Sequence, residues 1–230
     1  MDQVREKPWL AHYDPGVPPE IQVPDIPLWR FLEESARRFP QNVALEFLGK
    51  TLSYQELWGL ARRFAQGLKD LGVRPGDRVA IMLPNSPQFV IAFYGTLLAG
   101  GVGVNVNPLY TPRELRHQLA DAGAETLVIL DHLLPRYLEV EKEVPVKRVV
   151  VTGIKDFLPF PKNLLYPLKA KRDGLPLGFP KREGFHAFAE LLKRPPAEPH
   201  VPDPEDLARL QYTGGTTGLS KGAMLTHKNL

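Results

Sequence analysis

Short apolar runs alternate with amphipathic segments along the first two thirds of the chain. Four of these runs predict buried strands because their interiors carry no charge: DRVAIML, VGVNVN, ETLVIL and KRVVVT. Between the runs, apolar residues recur at the three- and four-residue spacing of a helix. Strands that are apolar on both sides are typical of parallel sheets, in which both faces are covered. The pattern therefore predicts an α/β fold, with a parallel or mixed sheet and helices on both faces.

Several predicted helices begin at short capping patterns. Ser53 with Glu56, and Thr111 with Glu114, match the capping box, in which each side chain bonds the other residue's free backbone amide. Ser86 precedes a proline, which is the usual combination of an N-cap with a preset first helical residue. These patterns fix the starts of three helices, and they give the capping residues a structural role rather than a catalytic one.

The regular alternation stops after residue 152. Residues 153–184 are rich in proline, aromatic and basic residues, and they predict no amphipathic helix. The stretch GFHAFAELLKR predicts a short helix, and PPAEPHVPDPED predicts a connector. Two further predicted strands, LARLQYT and AMLTH, enclose a glycine- and threonine-rich stretch. This order predicts a strand–loop–strand hairpin at residues 206–230.

Composition excludes several classes of function. The 230 residues include no cysteine, which rules out disulfides, thiolate nucleophiles and cysteine metal sites. The net charge of +3 is too small to indicate a nucleic-acid partner, and none is expected. The first 27 residues carry scattered charges and prolines without an apolar block, unlike a signal peptide. The uncharged stretch FVIAFYGTLLAGGVGV is shorter than the roughly 20 residues of a membrane span, so a cytoplasmic protein is predicted.

The stretch YTGGTTGLSKG, residues 212–222, combines bare backbone with hydroxyls and a cation. Glycines let successive amides turn toward one point, where they form an anion-binding nest. The hydroxyls of Thr213, Thr216 and Thr217 and the ammonium of Lys221 add further donors. Such a donor set suits a polyphosphate, although the stretch lacks the Gly-Lys-Ser/Thr run of a Walker loop. The alternative at this point is a flexible turn between two strands.

YTGGTTGLSKGAMLTH resembles the phosphate-loop signature of the adenylate-forming enzymes, which include acyl-CoA synthetases, adenylation domains of peptide synthetases and luciferases. Two positions depart from the family pattern: Gly214 replaces a serine and Ser220 replaces a proline. The signature with Gly214 and Gly215 in succession is similar to that of long-chain fatty acyl-CoA ligases. LLAGGVGVNVNPLYTPRELRHQLADAGAETLVI and GVRPGDRVAIMLPNSPQF also resemble those ligases. The resemblance covers most of residues 26–230.

The resemblance implies that ATP activates a fatty acid as acyl-adenylate, which coenzyme A then converts to acyl-CoA. It implies that a loop surrounds the β- and γ-phosphates, formed by Thr213, Gly214, Gly215, Thr216, Thr217, Gly218 and Lys221. Lys221 and Thr217 are the expected catalytic residues, and Thr216 is expected to approach Mg²⁺. In this family the adenine and acyl pockets and a mobile C-terminal domain lie further along the chain.

The resemblance also predicts a domain organisation. Residues 1–25 form an extended arm, 26–152 an α/β core, 153–205 a basic proline-rich insertion and connector, and 206–230 the strand, phosphate loop and strand. Together they form an incomplete large N-terminal domain without the C-terminal domain. We expect this chain alone to be inactive and marginally folded, because family members are about twice as long or longer.

Three questions stay open from the sequence. The acid could be medium-chain or aryl rather than long-chain, or the chain could be a truncated, non-catalytic module that binds a nucleotide or a partner. Basic and aromatic residues between 155 and 182 suggest peripheral contact with a membrane, against the alternative of a solvated loop. A homodimer is a further hypothesis for its assembly.

Overall fold

The structure is a computed structural model that describes residues 7–213 and 220–230. The strands are β1 (Val43–Phe47), β2 (Lys50–Ser53), β3 (Arg78–Met82), β4 (Val102–Asn105), β5 (Thr126–Leu130), β6 (Arg148–Thr152), β7 (Phe185–Ala187), β8 (Leu207–Thr213) and β9 (Lys221–Thr226). The α-helices are α1 (Arg30–Arg38), α2 (Tyr54–Asp70), α3 (Pro87–Leu98), α4 (Pro112–Ala122), α5 (Leu134–Val140), α6 (Lys162–Arg172) and α7 (Phe188–Leu191). Short 3-10 helices cover Pro8–His12, Asp131–Leu133 and Ile154–Phe157.

Seven strands form the central sheet, in the order β7-β6-β5-β3-β4-β8-β9, and β1 pairs with β2 in a separate hairpin. The strands from β7 to β8 are parallel to their neighbours, whereas β9 is antiparallel to β8. Every residue of β5 is buried, as expected for a strand covered on both faces. The predicted α/β fold with a mixed sheet is confirmed.

Helices cover both faces because the chain reverses its direction of travel across the sheet. It moves from β3 outward to β4 through α3, and then back past β3 to β5 through α4. Crossovers between parallel strands are right-handed, so opposite directions of travel place α3 on one face and α4 and α5 on the other. The packing agrees, since α2 contacts α3 and α4 contacts α5.

The predicted helix starts are confirmed by their hydrogen bonds. At α2, the Glu56 amide donates to Ser53 Oγ at 3.2 Å, and the Ser53 amide donates to the Glu56 carboxylate at 2.8 Å. Thr111 and Glu114 make the same reciprocal pair at the start of α4. Ser86 caps α3 through the Phe89 amide. Each of these bonds satisfies an amide that the helix itself leaves without an acceptor.

The long uncharged stretch from β3 to β4 is a buried helix that leads into a buried strand, as the sequence predicts. Of the twelve residues of α3, eight are buried, including Ile91, Leu97 and Leu98. Within residues 7–213 and 220–230, no helix is long and apolar enough to cross a membrane.

Two predictions for the second half of the chain are wrong. Residues 162–172 form helix α6, although no helix is expected there. Pro167 lies inside α6 and no side chain caps its start, so the usual sequence signals are missing. The stretch 184–194 begins with strand β7, which pairs with β6, and only Phe188–Leu191 are helical. Pairing with β6 is a long-range contact that local propensity does not reveal.

Two glycines allow α2 to pack closely against its neighbours. A Cβ at Gly95 in α3 would lie 2.7 Å from Phe64 Cδ1 and 3.0 Å from the Ala61 carbonyl oxygen, both in α2. A Cβ at Gly67 in α2 would lie 2.5 Å from Leu191 Cβ in α7. The interfaces of α2 with α3 and α7 therefore depend on the absence of a side chain at these positions.

His227 follows β9 and lies at the edge of the sheet where the parallel strands begin. The antiparallel register places Thr226 opposite Leu207, one strand length away from the glycine- and threonine-rich loop. His227 is buried, and its Nδ1 accepts a hydrogen bond from the Leu28 amide at 3.1 Å. Burial lowers the pKa of this imidazole; nearby Asp206 opposes that change and His200 adds to it. His227 therefore joins the end of the hairpin to the start of the folded core.

We expect Gly67→Ala to lower the free energy of unfolding by about 1–3 kcal/mol, because the new methyl group overpacks against Leu191. The matched control is Gly59→Ala in the same helix, where an added Cβ meets nothing within 4 Å. Since alanine favours helix over glycine, the control should raise stability by up to about 1 kcal/mol. Urea unfolding of both variants provides the test, and equal shifts of the same sign would contradict the packing.

We also expect His227 to make stability depend on pH. The folded-state pKa lies below that of the unfolded chain, so the unfolded chain binds the proton first. The free energy of unfolding should therefore fall as pH drops below about 6.5, by at most about 1.4 kcal/mol per pH unit for one group. His227→Gln should flatten this decline when urea unfolding is measured across this pH range. An unaltered decline in His227→Gln would remove His227 as its source.

Candidate functional site

The hairpin of β8 and β9 presents the two ends of the glycine- and threonine-rich loop side by side. Its register places Thr213 directly opposite Lys221, and both residues are exposed. These are two of the residues predicted to bind phosphate. The other five, Gly214, Gly215, Thr216, Thr217 and Gly218, lie outside the described residues. The two predicted strands are confirmed, and they pair antiparallel.

The loop leaves the sheet at the edge formed by the carboxyl ends of the parallel strands. β8 is parallel to β4, with Gln211 opposite Asn105, and it ends at Thr213. Open α/β sheets bind ligands in the crevices outside the carboxyl ends of their strands. Thr213 and Lys221 therefore place a hydroxyl and an ammonium group at the edge where a ligand is expected.

A tyrosine at the start of the loop fixes the base of the hairpin. The Tyr212 hydroxyl donates a hydrogen bond to Asp121 Oδ2 of α4 at 2.5 Å. The Tyr212 ring lies over its strand partner Gly222, where a Cβ would approach ring atoms to 3.0–3.1 Å. Burial, together with the hydrogen bond to Asp121, raises the pKa of Tyr212, which keeps the hydroxyl protonated as a donor.

The position of Tyr212 determines which face of the sheet carries the cation. Adjacent residues of a strand point to opposite faces, so Thr213 and its partner Lys221 lie on the face away from Asp121 and α4. Arg209 shares their face, and its guanidinium lies 5.7 Å from the centre of the Phe93 ring in α3. Two basic side chains therefore project from one face of the hairpin.

Helix α4 also contacts the backbone on both sides of the candidate site. His117 Nε2 lies 3.3 Å from the Ser220 carbonyl oxygen, and the Gln118 amide donates to the Asn105 carbonyl oxygen at 2.7 Å. One helix thus holds the end of β4 and the far end of the loop through adjacent residues. Sequence reasoning missed His117, Gln118 and Asp121, because their partners are up to 103 residues away in the chain.

The loop between β4 and α4 borders the same edge of the sheet. Asn107 Oδ1 accepts a hydrogen bond from the Leu109 amide at 3.0 Å, and this bond orders the turn after β4. Arg136 of α5 donates to the carbonyl oxygens of Pro108 and Tyr110 at 2.5 and 3.1 Å. Backbone and side-chain bonds therefore fix the loop that follows β4 at this edge.

Magnesium is implied by the family resemblance and needs oxygen ligands. Over residues 7–213 and 220–230, no group of three histidine or carboxylate side chains is arranged to hold a metal ion. Thr216, the residue predicted to approach the metal, lies outside the described residues. The described residues therefore contribute no metal ligand that we can assign.

Comparison with known proteins gives consistent matches. The chain matches the AMP-binding enzyme family over residues 32–230. A long-chain-fatty-acid–CoA ligase of Bacillus subtilis (strain 168) is 44% identical over 229 residues, which are 98% of this chain and 41% of that ligase. The crystal structure of a long-chain-fatty-acid–CoA ligase from Archaeoglobus fulgidus superposes with a TM-score of 0.73 at 27% identity, covering 94% of this chain and 39% of that one. ATP-bound MatB from Rhodopseudomonas palustris has a TM-score of 0.66 at 27% identity, covering 89% and 35%.

The chain spans about two fifths of the length of the curated ligase that it matches. The family match extends over the whole seven-stranded sheet and both strands of the loop hairpin. Three findings thus agree on one family. YTGGTTGLSKGAMLTH resembles the adenylate-forming signature, the family model matches the sheet, and the hairpin loop leaves the sheet at its carboxyl edge. The chain belongs to the AMP-binding enzyme family.

Proposed function

We propose that this chain supplies the phosphate-binding hairpin of an ATP-dependent acid–thiol ligase that converts a long-chain fatty acid to its coenzyme A thioester. The observation that carries the proposal is the pairing of Thr213 with Lys221 at the base of a glycine- and threonine-rich loop. The 44% identity to a long-chain-fatty-acid–CoA ligase supports the choice of substrate. Because the chain spans about two fifths of that ligase, the complete reaction is proposed for the full-length protein.

The reaction proceeds in two displacements. A carboxylate oxygen of the acid attacks the α-phosphorus of ATP, the bond to the β-phosphate oxygen breaks, and pyrophosphate leaves. The thiol sulfur of coenzyme A then attacks the acyl carbon, AMP leaves with the former carboxylate oxygen, and the thiol loses its proton. Activation is required because a carboxylate is a poor electrophile, whereas AMP is a good leaving group.

Residues of the hairpin act in the first displacement. Negative charge increases on the departing pyrophosphate, and catalysis of this step consists of positioning and charge neutralisation. The ammonium of Lys221 supplies a compact positive charge, and the hydroxyl of Thr213 supplies a donor beside it. In the proposal, Gly214, Gly215, Thr216, Thr217 and Gly218 supply backbone amides and hydroxyls to the β- and γ-phosphates.

The fixed base of the hairpin makes these groups effective. A donor stabilises developing charge best when little further ordering is needed at the moment of reaction. The Tyr212–Asp121 hydrogen bond and the contact between His117 and Ser220 hold both ends of the loop against α4. Lys221 therefore projects from a strand that the core of the domain already positions.

Magnesium, when bound, would neutralise phosphate charge. We propose Thr216 as a residue that approaches it, and we assign no step of the reaction to the metal. Coenzyme A acts as the second substrate.

We expect Lys221→Ala to slow acyl-adenylate formation by about 100-fold, the scale for loss of one positioned donor. Transfer from preformed acyl-adenylate to coenzyme A should change little, because pyrophosphate has already left. Thr217→Ala should show the same separation of the two steps. ATP–pyrophosphate exchange measures the first step in the full-length protein, and single-turnover thioester formation measures the second.

The matched control is Lys193→Ala, which removes an exposed lysine paired with Glu190 far from the hairpin. Both half-reactions should keep their native rates in this variant. Equal losses in the two half-reactions of Lys221→Ala would assign the loop a structural role instead. ATP binding without an adenylate from any acid would identify a non-catalytic nucleotide-binding module.

A series of acids should distinguish the proposed substrate from related ones. We expect the kcat/KM for pyrophosphate exchange to rise with chain length toward long-chain fatty acids, because each buried methylene adds about 0.8 kcal/mol of binding. Medium-chain and aryl acids serve as the comparison. A maximum with either of them would keep the ligase reaction and replace the long-chain substrate.

A further inference from the structure

Helix α6 exposes large apolar side chains to solvent. The exposed fractions are 65% for Leu164, 57% for Leu165 and 69% for Leu168, and Phe160 just before the helix is 79% exposed. Four large apolar residues thus lie in the open within nine positions. Large apolar side chains exposed close together in the chain are typical of binding faces.

The exposed leucines lie on the side of α6 that faces away from the protein. Positions 164, 165 and 168 fall within about 100° of the helix circumference at 3.6 residues per turn. The opposite side contains Ala170, which is 1% exposed, and α6 packs on the 3-10 helix Ile154–Phe157. The helix is therefore attached by one side and carries its apolar residues on the other.

Basic residues flank the apolar side of α6. Lys169, Lys171 and Arg172 occupy its last turn, and all three are exposed. Arg172 contacts Asp173 at 3.4 Å, whereas the described residues provide no carboxylate within ion-pair distance of Lys169 or Lys171. An outward apolar face with cations beside it complements a surface that has a negatively charged outer layer and an apolar layer below it.

We propose that α6 docks this protein on the surface of an anionic lipid bilayer. The leucines and Phe160 would enter the boundary between headgroups and acyl chains, while Lys169, Lys171 and Arg172 contact phosphate groups. Helices that lie in this plane combine an apolar face with lysine and arginine on the polar side. The inference rests on the exposure and charge of α6, and not on the proposed reaction.

The lysines favour lipid over a protein partner as the occupant. The cores of protein–protein interfaces are depleted in lysine, because burying an ammonium group costs free energy. At a bilayer, in contrast, long basic side chains reach the headgroups while their aliphatic parts cover apolar surface. The main alternative is that a second copy of the chain binds this face, and sedimentation velocity separates the two cases.

Helix α6 lies at the same edge of the sheet as the candidate site, so docking through α6 would bring that site toward the lipid. α6 follows β6 at the carboxyl edge of the parallel strands, the same edge from which the β8–β9 loop leaves. The Lys162 ammonium also donates to the Leu48 carbonyl oxygen at 2.8 Å, which ties α6 to the β1–β2 hairpin. Contact through α6 would bring this edge of the sheet toward the lipid surface.

Vesicle sedimentation with the full-length protein tests the proposal. Vesicles of phosphatidylcholine with and without phosphatidylglycerol are compared at low and high salt. One variant combines Leu164→Ser with Leu168→Ser, and a second combines Lys169→Gln, Lys171→Gln and Arg172→Gln. At low salt, we expect the first to lower partitioning by at least about 10-fold and the second by roughly 100-fold, since each basic residue contributes about a factor of five.

Matched controls remove equal numbers of apolar and of basic side chains elsewhere on the surface. Ile21→Ser with Val201→Ser removes two apolar side chains that are 86% and 65% exposed. Arg37→Gln, Arg38→Gln and Arg63→Gln remove three exposed arginines. Both controls should bind anionic vesicles like the native protein, and circular dichroism of every variant verifies that it is folded.

Several results would overturn the docking role. The first is that the native protein does not sediment with anionic vesicles. The second is that the α6 variants bind these vesicles as well as their controls do. A third is loss of self-association in Leu164→Ser/Leu168→Ser with unchanged vesicle binding, seen by sedimentation velocity. That outcome would assign the apolar face to a second copy of the chain. Loss of the ligase reaction without loss of vesicle binding would instead concern only the proposed function.

Discussion

The two-sided burial of the parallel strands governs the rest of this structure. A strand such as β5, with every residue buried, requires a cover on both faces, and its parallel neighbour can be reached only by a crossover. The crossovers through α3 and α4 supply that cover in opposite directions. As a result, every strand of the parallel set ends at the same edge, and the loops that follow them are brought together there.

The β8–β9 hairpin uses this edge without belonging to the crossover pattern. β8 is parallel to β4, but the chain turns back directly and adds β9 as an antiparallel strand. β8 and β9 are therefore not joined by a crossover of the kind that links the parallel strands. α4, which belongs to an earlier crossover, supports the hairpin through Asp121 and His117. The candidate site thus depends on tertiary contacts between parts of the chain that are distant in sequence.

The sequence predicts the sheet, its covering helices and the loop because these features have strong local signals. Uncharged runs identify the buried strands, and reciprocal pairs such as Ser53–Glu56 identify helix starts. Helix α6 has neither signal, since Pro167 interrupts it and its leucines face solvent rather than a core. Strand β7 is only three residues long and depends on β6 for its hydrogen bonds. Likewise, Asp121 looks like an ordinary exposed helix residue until the fold brings Tyr212 to it.

The contact between Tyr212 and Gly222 separates two kinds of sequence change. A Cβ at position 222 would press against the ring at 3.0–3.1 Å, so the close contact favours glycine opposite Tyr212 in this strand register. Substitutions elsewhere in β9 keep the length of the strand and leave that register in place. A one-residue insertion within β9 would instead turn Lys221 to the opposite face of the sheet. Among relatives, insertions are accordingly not expected within the two strands.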